Sequence, residues 1–420
     1  MYPGKVFRNE NVRKLLSDFA KTLERFLAQE EFEKNIWDKR IYSLRGWRKR
    51  NYKDKFFKRL EEFTKQHKKS KQEVDEFYET RTNQISEEYE FHYFSKFDEN
   101  NEINQQKSDA LDYEFIGKKL YLFQYMLSRE YVNKNLNYDY KFFKEIESFI
   151  KHNQIEIKKS APELYRSYLC VQFLFNKGDK FILNELKKFI IKKKYFENKI
   201  SKPYWDYINS CVYMVNQGYP DYYKDIFQFL KLLEENKLIE HSSEIVHYYF
   251  KIAIEAALWA KELTWLENFI DNHGNKIKPD FKKDMINLSY AKIFWTKSDF
   301  KKSKEYAKKV TFKDYLHYIG SKKILLRISY QENDFDNLIY IADTVKKYFS
   351  FHLEIPEVYR SGTEEFIEYL LKLFKLKEKF NLGYEIEFEI EKLKRQIEKD
   401  KREVSFKNWL FEKANELKKN

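Results

Sequence analysis

The chain has 420 residues, 42% of them hydrophobic, and carries a formal net charge of +13 from 80 Lys plus Arg against 67 Asp plus Glu. Gly and Pro together make up only 15 of the 420 residues, where average usage would be about 12%, so hairpins and Gly-rich loops lack their raw material. Aromatics are abundant instead, with 33 Tyr, 38 Phe and 7 Trp, and long helices joined by short polar links are the expected solution.

In chain order, the first helix is marked by Val12, Leu15, Leu16, Phe19, Leu23, Phe26 and Leu27 at helical spacing, with Asn9 or Asn11 as cap. A second helical stretch from about Glu30 carries Phe32, Ile36, Ile41 and Leu44 and runs into Arg45-Gly46-Trp47-Arg48-Lys49-Arg50. Phe56, Phe57, Leu60 and Phe63 mark a third. After a polar break near residues 68–72, a fourth contains Val74, Phe77, Tyr78, Ile85, Tyr89 and Phe94. Residues 1–97 thus read as a basic helical N-terminal region, with 20 Lys plus Arg against 10 Asp plus Glu over residues 1–70.

Two readings of Arg45, Trp47, Arg48, Lys49 and Arg50 compete. Cations beside an indole can track a phosphate backbone while the ring stacks on a base. The commoner arrangement is a helix end whose cations complement its dipole, with Trp47 packed against the next helix. The overall surplus has a plain source too, because heavy use of Lys, Asn, Ile, Phe and Tyr is what A/T-rich coding produces.

Residues 98–108 are polar with a single apolar residue and read as a linker loop. From 109 to 380 the pattern is helix, short link, helix. Gly178-Asp179, Gly218, Lys261-Glu262-Leu263, Ser298-Asp299 and Asn333-Asp334 mark tight turns, spaced about 40, 44, 37 and 35 residues apart, within the range of helical repeats. Lys187, Lys188 and Lys192 to Lys194 bracket Phe189-Ile190-Ile191, which reads as an ordinary helix with a solvated outer face rather than a membrane-surface helix. Tyr290-Ala291, Phe294, Asp299-Phe300, Ser303, Ala307 and Val310 follow a small-large-small pattern. Leu326, Tyr330, Asp334-Phe335, Leu338 and Ala342 repeat it, with Asp-Phe recurring 35 residues on. A small residue lets two helices approach closely, and the aromatic after the turn fills the gap beside it. Ala257, Trp265, Ala291, Phe294, Phe300, Ala307, Leu326, Phe335 and Ala342 are the expected core positions. From about Gly383 a charged helix with Ile386, Ile390, Leu393 and Ile397 on one stripe is expected over 381–420, closed by a short capping helix with Trp409, Leu410, Phe411 and Leu417.

These motifs resemble the tetratricopeptide-like helical superfamily, best over about 280–345, although Ser298 stands where Gly is usual and Ser303 where Ala is usual. The N-terminal Pro3-Gly4-Lys5, Leu15-Leu16-Ser17-Asp18 and Phe26-Leu27 resemble a group of uncharacterised bacterial helical proteins that have more chain ahead of this point, so a truncated start is expected. The superfamily resemblance implies an all-α fold, an α-solenoid of antiparallel helix pairs behind an irregular helical N-terminal region. It also implies a concave surface lined by the first helix of each pair. Carried onto this sequence, that surface holds Leu288, Lys292, Trp295, Thr296, Lys323, Arg327, Tyr330 and Gln331. Lys292, Trp295, Lys323, Arg327 and Tyr330 are the expected contacts for an acidic peptide or a free carboxylate; the Asn residues of carboxylate-clamp repeats are missing.

Signals for chemistry are absent from the sequence. Its eight His residues are scattered, and neither a zinc-protease pair, a phosphate-cradling Gly loop nor a Gly-x-Ser-x-Gly elbow occurs. Cys170 and Cys211 lie far apart in apolar helical patterns and read as buried thiols of a reducing compartment. No apolar run approaches the about 18 residues of a membrane span, and Met1-Tyr2-Pro3-Gly4-Lys5 lacks a hydrophobic signal core. The expectation is a cytoplasmic, non-enzymatic scaffold or adaptor with no metal or cofactor, binding another protein. A nucleic-acid-associated regulator using the basic N-terminal region is the alternative.

Overall fold

The computed structural model describes residues 9–68, 70, 74–94, 101–133, 135–198, 200–239, 247–311, 313–400 and 404–418. The chain is all-helical, and no strand occurs among the described residues. It packs as two compact units, one of residues 1–127 and 139–172 and the other of residues 128–138 and 173–420.

The first unit begins with α1 (Asn9–Lys34), α2 (Ile36–Lys49), α3 (Lys53–His67), α4 (Val74–Phe94) and α5 (Asn101–Val132), and continues with α6 (Phe143–His152), α7 (Gln154–Ser160) and α8 (Pro162–Phe175). The final residues of α5 and α8 belong to the second unit, so the division falls inside these helices. Asn35 ends α1 and starts α2 by accepting hydrogen bonds from the backbone N–H groups of Trp37 (3.0 Å) and Asp38 (3.1 Å). Ile41, Leu44, Phe56, Leu60, Phe63 and Phe91 form a core between α2, α3 and α4, with Phe56 stacked on Phe91 at 4.6 Å. Within the expected loop at 98–108, residues 98–100 lie outside the described residues and 101–108 are the first turns of α5. Its lone apolar residue, Ile103, is the reason. It is buried against Ile85 and Ala110, while Gln105 and Gln106 hydrogen-bond Asp109 and Glu102 along the helix.

The second unit holds α9 (Lys180–Lys193), α10 (Lys202–Asn216), α11 (Tyr222–Glu235), α12 (His247–Trp259), α13 (Leu263–His273) and α14 (Pro279–Thr296). It continues through α15 (Phe300–Lys308), α16 (Tyr315–Gln331), α17 (Phe335–Phe351), α18 (Glu357–Asn381), α19 (Glu387–Lys399) and α20 (Lys407–Glu416). Consecutive helices pack on one another from α9 to α13 and from α14 to α20, and α12 also packs on α14, α14 on α16, and α16 on α18. One turn recurs. Gly218, Lys237, Lys261, Ser298, Asn333 and Gly383 all have positive φ, and the N–H of each following residue bonds the carbonyl five back, as in Asp299 to Phe294 and Asp334 to Ser329, both 2.9 Å. The turn at Gly178 needs glycine, because a Cβ there would meet Met214 Sδ at 2.8 Å and φ is +88°.

The expected packing positions mostly hold. Ala257, Ala291, Ala307, Leu326 and Ala342 are buried, while Trp265, Phe294, Phe300 and Phe335 are half-buried at the seams. Ser303, where the motif has Ala, is buried because its hydroxyl donates to the Ala291 carbonyl at 2.7 Å. Asp179, Asp299, Asp314 and Asp334 cap α9, α15, α16 and α17. At the C-terminal end Ile386, Ile390, Leu393 and Ile397 are buried as one stripe, and Leu410, Ala414 and Leu417 pack α20 into the same core. Glu391 pairs with Lys394 on its own helix and with Lys418 beyond α20.

Candidate functional site

Helices α12 and α16 both pack on α14, and the three turn charged side chains toward one another. Helical spacing does this: Lys251 and Glu255 are four apart on α12, Lys292 and Trp295 three apart on α14, and Lys323, Arg327 and Tyr330 four and three apart on α16. All five residues expected from the sequence are therefore in one neighbourhood. All five are less open than a concave surface implies: Tyr330 is 2% and Arg327 7% exposed, and Lys292, Trp295 and Lys323 are half-buried. Leu288 is also buried, Gln331 is half-buried, and Thr296 is exposed with its hydroxyl bonded to the Lys292 carbonyl.

The cover comes from the segment leading into α20. Phe406 lies 4.1 Å from the Arg327 guanidinium carbon and Trp295 lies 4.3 Å from it. Trp409 approaches Trp295 and Tyr330 edge-on, with ring centroids at 6.4 and 5.5 Å. Lys323 Nζ donates to Ser405 Oγ at 2.7 Å, and Lys377 caps the Tyr330 carbonyl at 3.0 Å. Lys251, Glu255, Ser405 and Phe406 were not legible as site residues; only the i,i+4 spacing of the first two offered a signal.

Electrostatically the cluster is unbalanced. Lys292 is hydrogen-bonded to Glu255. Burial alone would push the Glu255 carboxyl up, but Lys292, Lys251 and Arg327 together bring it below its ordinary value. Burial pushes Lys251 down as well, and it pushes the Arg327 guanidinium down to about 9, with Glu255 opposing the shift. Among the described residues no carboxylate forms an ion pair with Arg327, whose Nε has a single long hydrogen bond, 3.4 Å, to the Lys323 carbonyl. A flat guanidinium wedged between two rings, with three cations acting on one carboxylate, is an arrangement suited to receiving an anion.

The second expected site is organised differently. Glu87, 3% exposed, accepts from Arg45 Nε at 2.7 Å and Arg48 Nε at 2.8 Å, and Arg48 also reaches Glu90 at 2.5 Å. These two arginines tie α2 to α4. Trp47 is half-buried beside Tyr52 and Lys55, Arg50 bonds the Gly46 carbonyl at the helix end, and Lys49 and Arg50 are exposed. The lysine-flanked stretch of α9 has Ile190 buried and Lys187 paired with Asp225 at 2.8 Å. Cys170 and Cys211 are both buried. Among the described residues, no helix is long and apolar enough to cross a membrane, and no group of three or more His, Cys, Asp or Glu gathers to hold a metal ion.

Comparison of the chain with family models, curated proteins and solved structures finds no match.

Proposed function

We propose that the chain is a non-enzymatic interaction protein whose second unit is a stack of antiparallel helix pairs of the tetratricopeptide-like kind. Its inner helices α12, α14 and α16 receive a carboxylate of a partner protein, from an acidic side chain or a free C-terminus. The recurring left-handed turns, the small residues at helix crossings and the contacts between alternate helices support the stacked-pair reading. The observation that carries the binding reading is Arg327, a buried cation with no carboxylate partner among the described residues. Taking such a charge out of water is costly unless something compensates it, and a carboxylate meeting the guanidinium fork does so with two charge-assisted hydrogen bonds. Lys251, Lys292 and Lys323 add attraction, and Trp295 with Phe406 hold the fork flat so that little freedom is lost on binding.

Succinate and its neutral diamide serve as minimal probes at constant ionic strength. Succinate is expected to raise the melting temperature and to bind by calorimetry, with the diamide inert. Arg327→Met should weaken succinate binding roughly 10- to 100-fold, in keeping with about 1.5–3 kcal/mol for a hydrogen bond to a charged group. Equal responses to acid and diamide, or unchanged succinate affinity in the variant, would overturn the carboxylate reading.

A further inference from the structure

Among the described residues, α1 carries more exposed large apolar side chains than any other helix. Every residue from Arg13 to Glu31 is exposed, although the helix runs from Asn9 to Lys34. Leu15 is 69% exposed, Phe19 64% and Phe26 62%, with Leu16, Leu23 and Leu27 beside them. A lone helix in water gains little from its backbone hydrogen bonds, and such a continuous apolar stripe is a mark of an interaction site. Val12, Leu16, Phe19, Leu23 and Phe26 follow one another at intervals of four, three, four and three. That is the seam of a coiled coil, broadened by Leu15 and Leu27.

We infer that α1 is a self-association surface: two copies of the chain pair their α1 helices antiparallel, with Phe19 of one copy against Leu23 of the other and Leu16 against Phe26. Charge sets the orientation. Residues 9–21 carry Arg13, Lys14 and Lys21 against Glu10 and Asp18, whereas residues 22–34 carry Arg25 and Lys34 against Glu24, Glu30, Glu31 and Glu33. A parallel pair would place Glu30, the next residue of the seam, on its own copy and set acidic half on acidic half. The antiparallel pair sets the basic half on the acidic half and brings Glu30 beside Arg13. The area suffices: the six large side chains offer on the order of 600–800 Å² per copy, close to the about 800 Å² each partner contributes to a standard interface.

The test is the mass of the full chain in solution by light scattering at tens of micromolar, with lipid vesicles as a competing probe. A dimer is expected, and Leu16→Glu with Leu23→Glu should halve the mass while circular dichroism stays helical, because neither side chain is in a core. Arg13→Glu should weaken the dimer about tenfold, and adding Glu30→Arg should restore it. Both native cysteines are buried, so introduced thiols report orientation: Leu16→Cys mixed with Phe26→Cys should cross-link, and Leu16→Cys alone should not. A monomeric wild-type chain, a dimer indifferent to the Glu substitutions, cross-linking of Leu16→Cys to itself, or a monomer that partitions onto phosphatidylserine vesicles would each overturn the proposal.

Discussion

At the scale of single residues, the informative positions are those where a charge is held without its usual compensation. Arg327 is sandwiched by Trp295 and Phe406, and Glu255 influences it without forming an ion pair. Glu255 therefore has two opposed roles. It neutralises Lys292 in the folded chain, and it competes with any incoming anion for the same cations. Glu255→Gln should accordingly lower thermal stability, by about 1–2 kcal/mol for a partly buried pair, while tightening succinate binding several-fold. Melting temperature and calorimetric affinity measured on the same variant decide this, since a purely structural role for Glu255 would leave binding unchanged or weakened. The grouping of Lys292, Trp295, Lys323, Arg327 and Tyr330 was implied by the tetratricopeptide-like resemblance, which puts them on the first helices of two successive units. Their burial was not, because it depends on Phe406 and Trp409, which return from about eighty residues further along the chain.

At the scale of elements, the same contrast separates what local pattern reveals from what tertiary pairing decides. Helices and turns were legible: few Gly and Pro, Asp at the starts of α9, α15 and α17, and left-handed positions at Gly218, Ser298 and Asn333 all act within one turn of helix. The short polar entry to α5 was misread as a loop, because only the burial of Ile103 against Ile85 distinguishes it. The run from Arg45 to Arg50 looked like one basic patch since charge along a sequence takes no account of a partner some forty residues away. Glu87 takes two of its arginines out of play and fastens α2 to α4. With Glu87 4% and Arg48 13% exposed at their side chains, Glu87→Ala leaves a largely buried guanidinium short of a partner and should cost about 3 kcal/mol. Chemical denaturation of the purified chain measures it; a loss under about 0.5 kcal/mol would mean that Arg48 is served by Glu90 alone.

At the scale of the molecule, two compact units with separate cores make a single cooperative transition the less expected behaviour. The cluster of Ile41, Leu44, Phe56, Leu60, Phe63 and Phe91 lies wholly in the first unit, and the large cluster from Leu288 to Leu417 wholly in the second. Each unit buries its own apolar surface, so each carries its own enthalpy of unfolding. Differential scanning calorimetry should resolve two components, and a core substitution should move only one of them. Ala291 is fully buried where α14 meets α15, with Ser303 bonded to its carbonyl, and Ala291→Phe would force those helices apart at a cost of about 1–3 kcal/mol. The component assigned to the second unit should shift down by several degrees while the other stays in place. Glu87→Ala should do the reverse. If both variants shift the same component, the units unfold as one body, and the stability of the proposed anion site would then depend on the α2–α4 clamp as much as on its own helices.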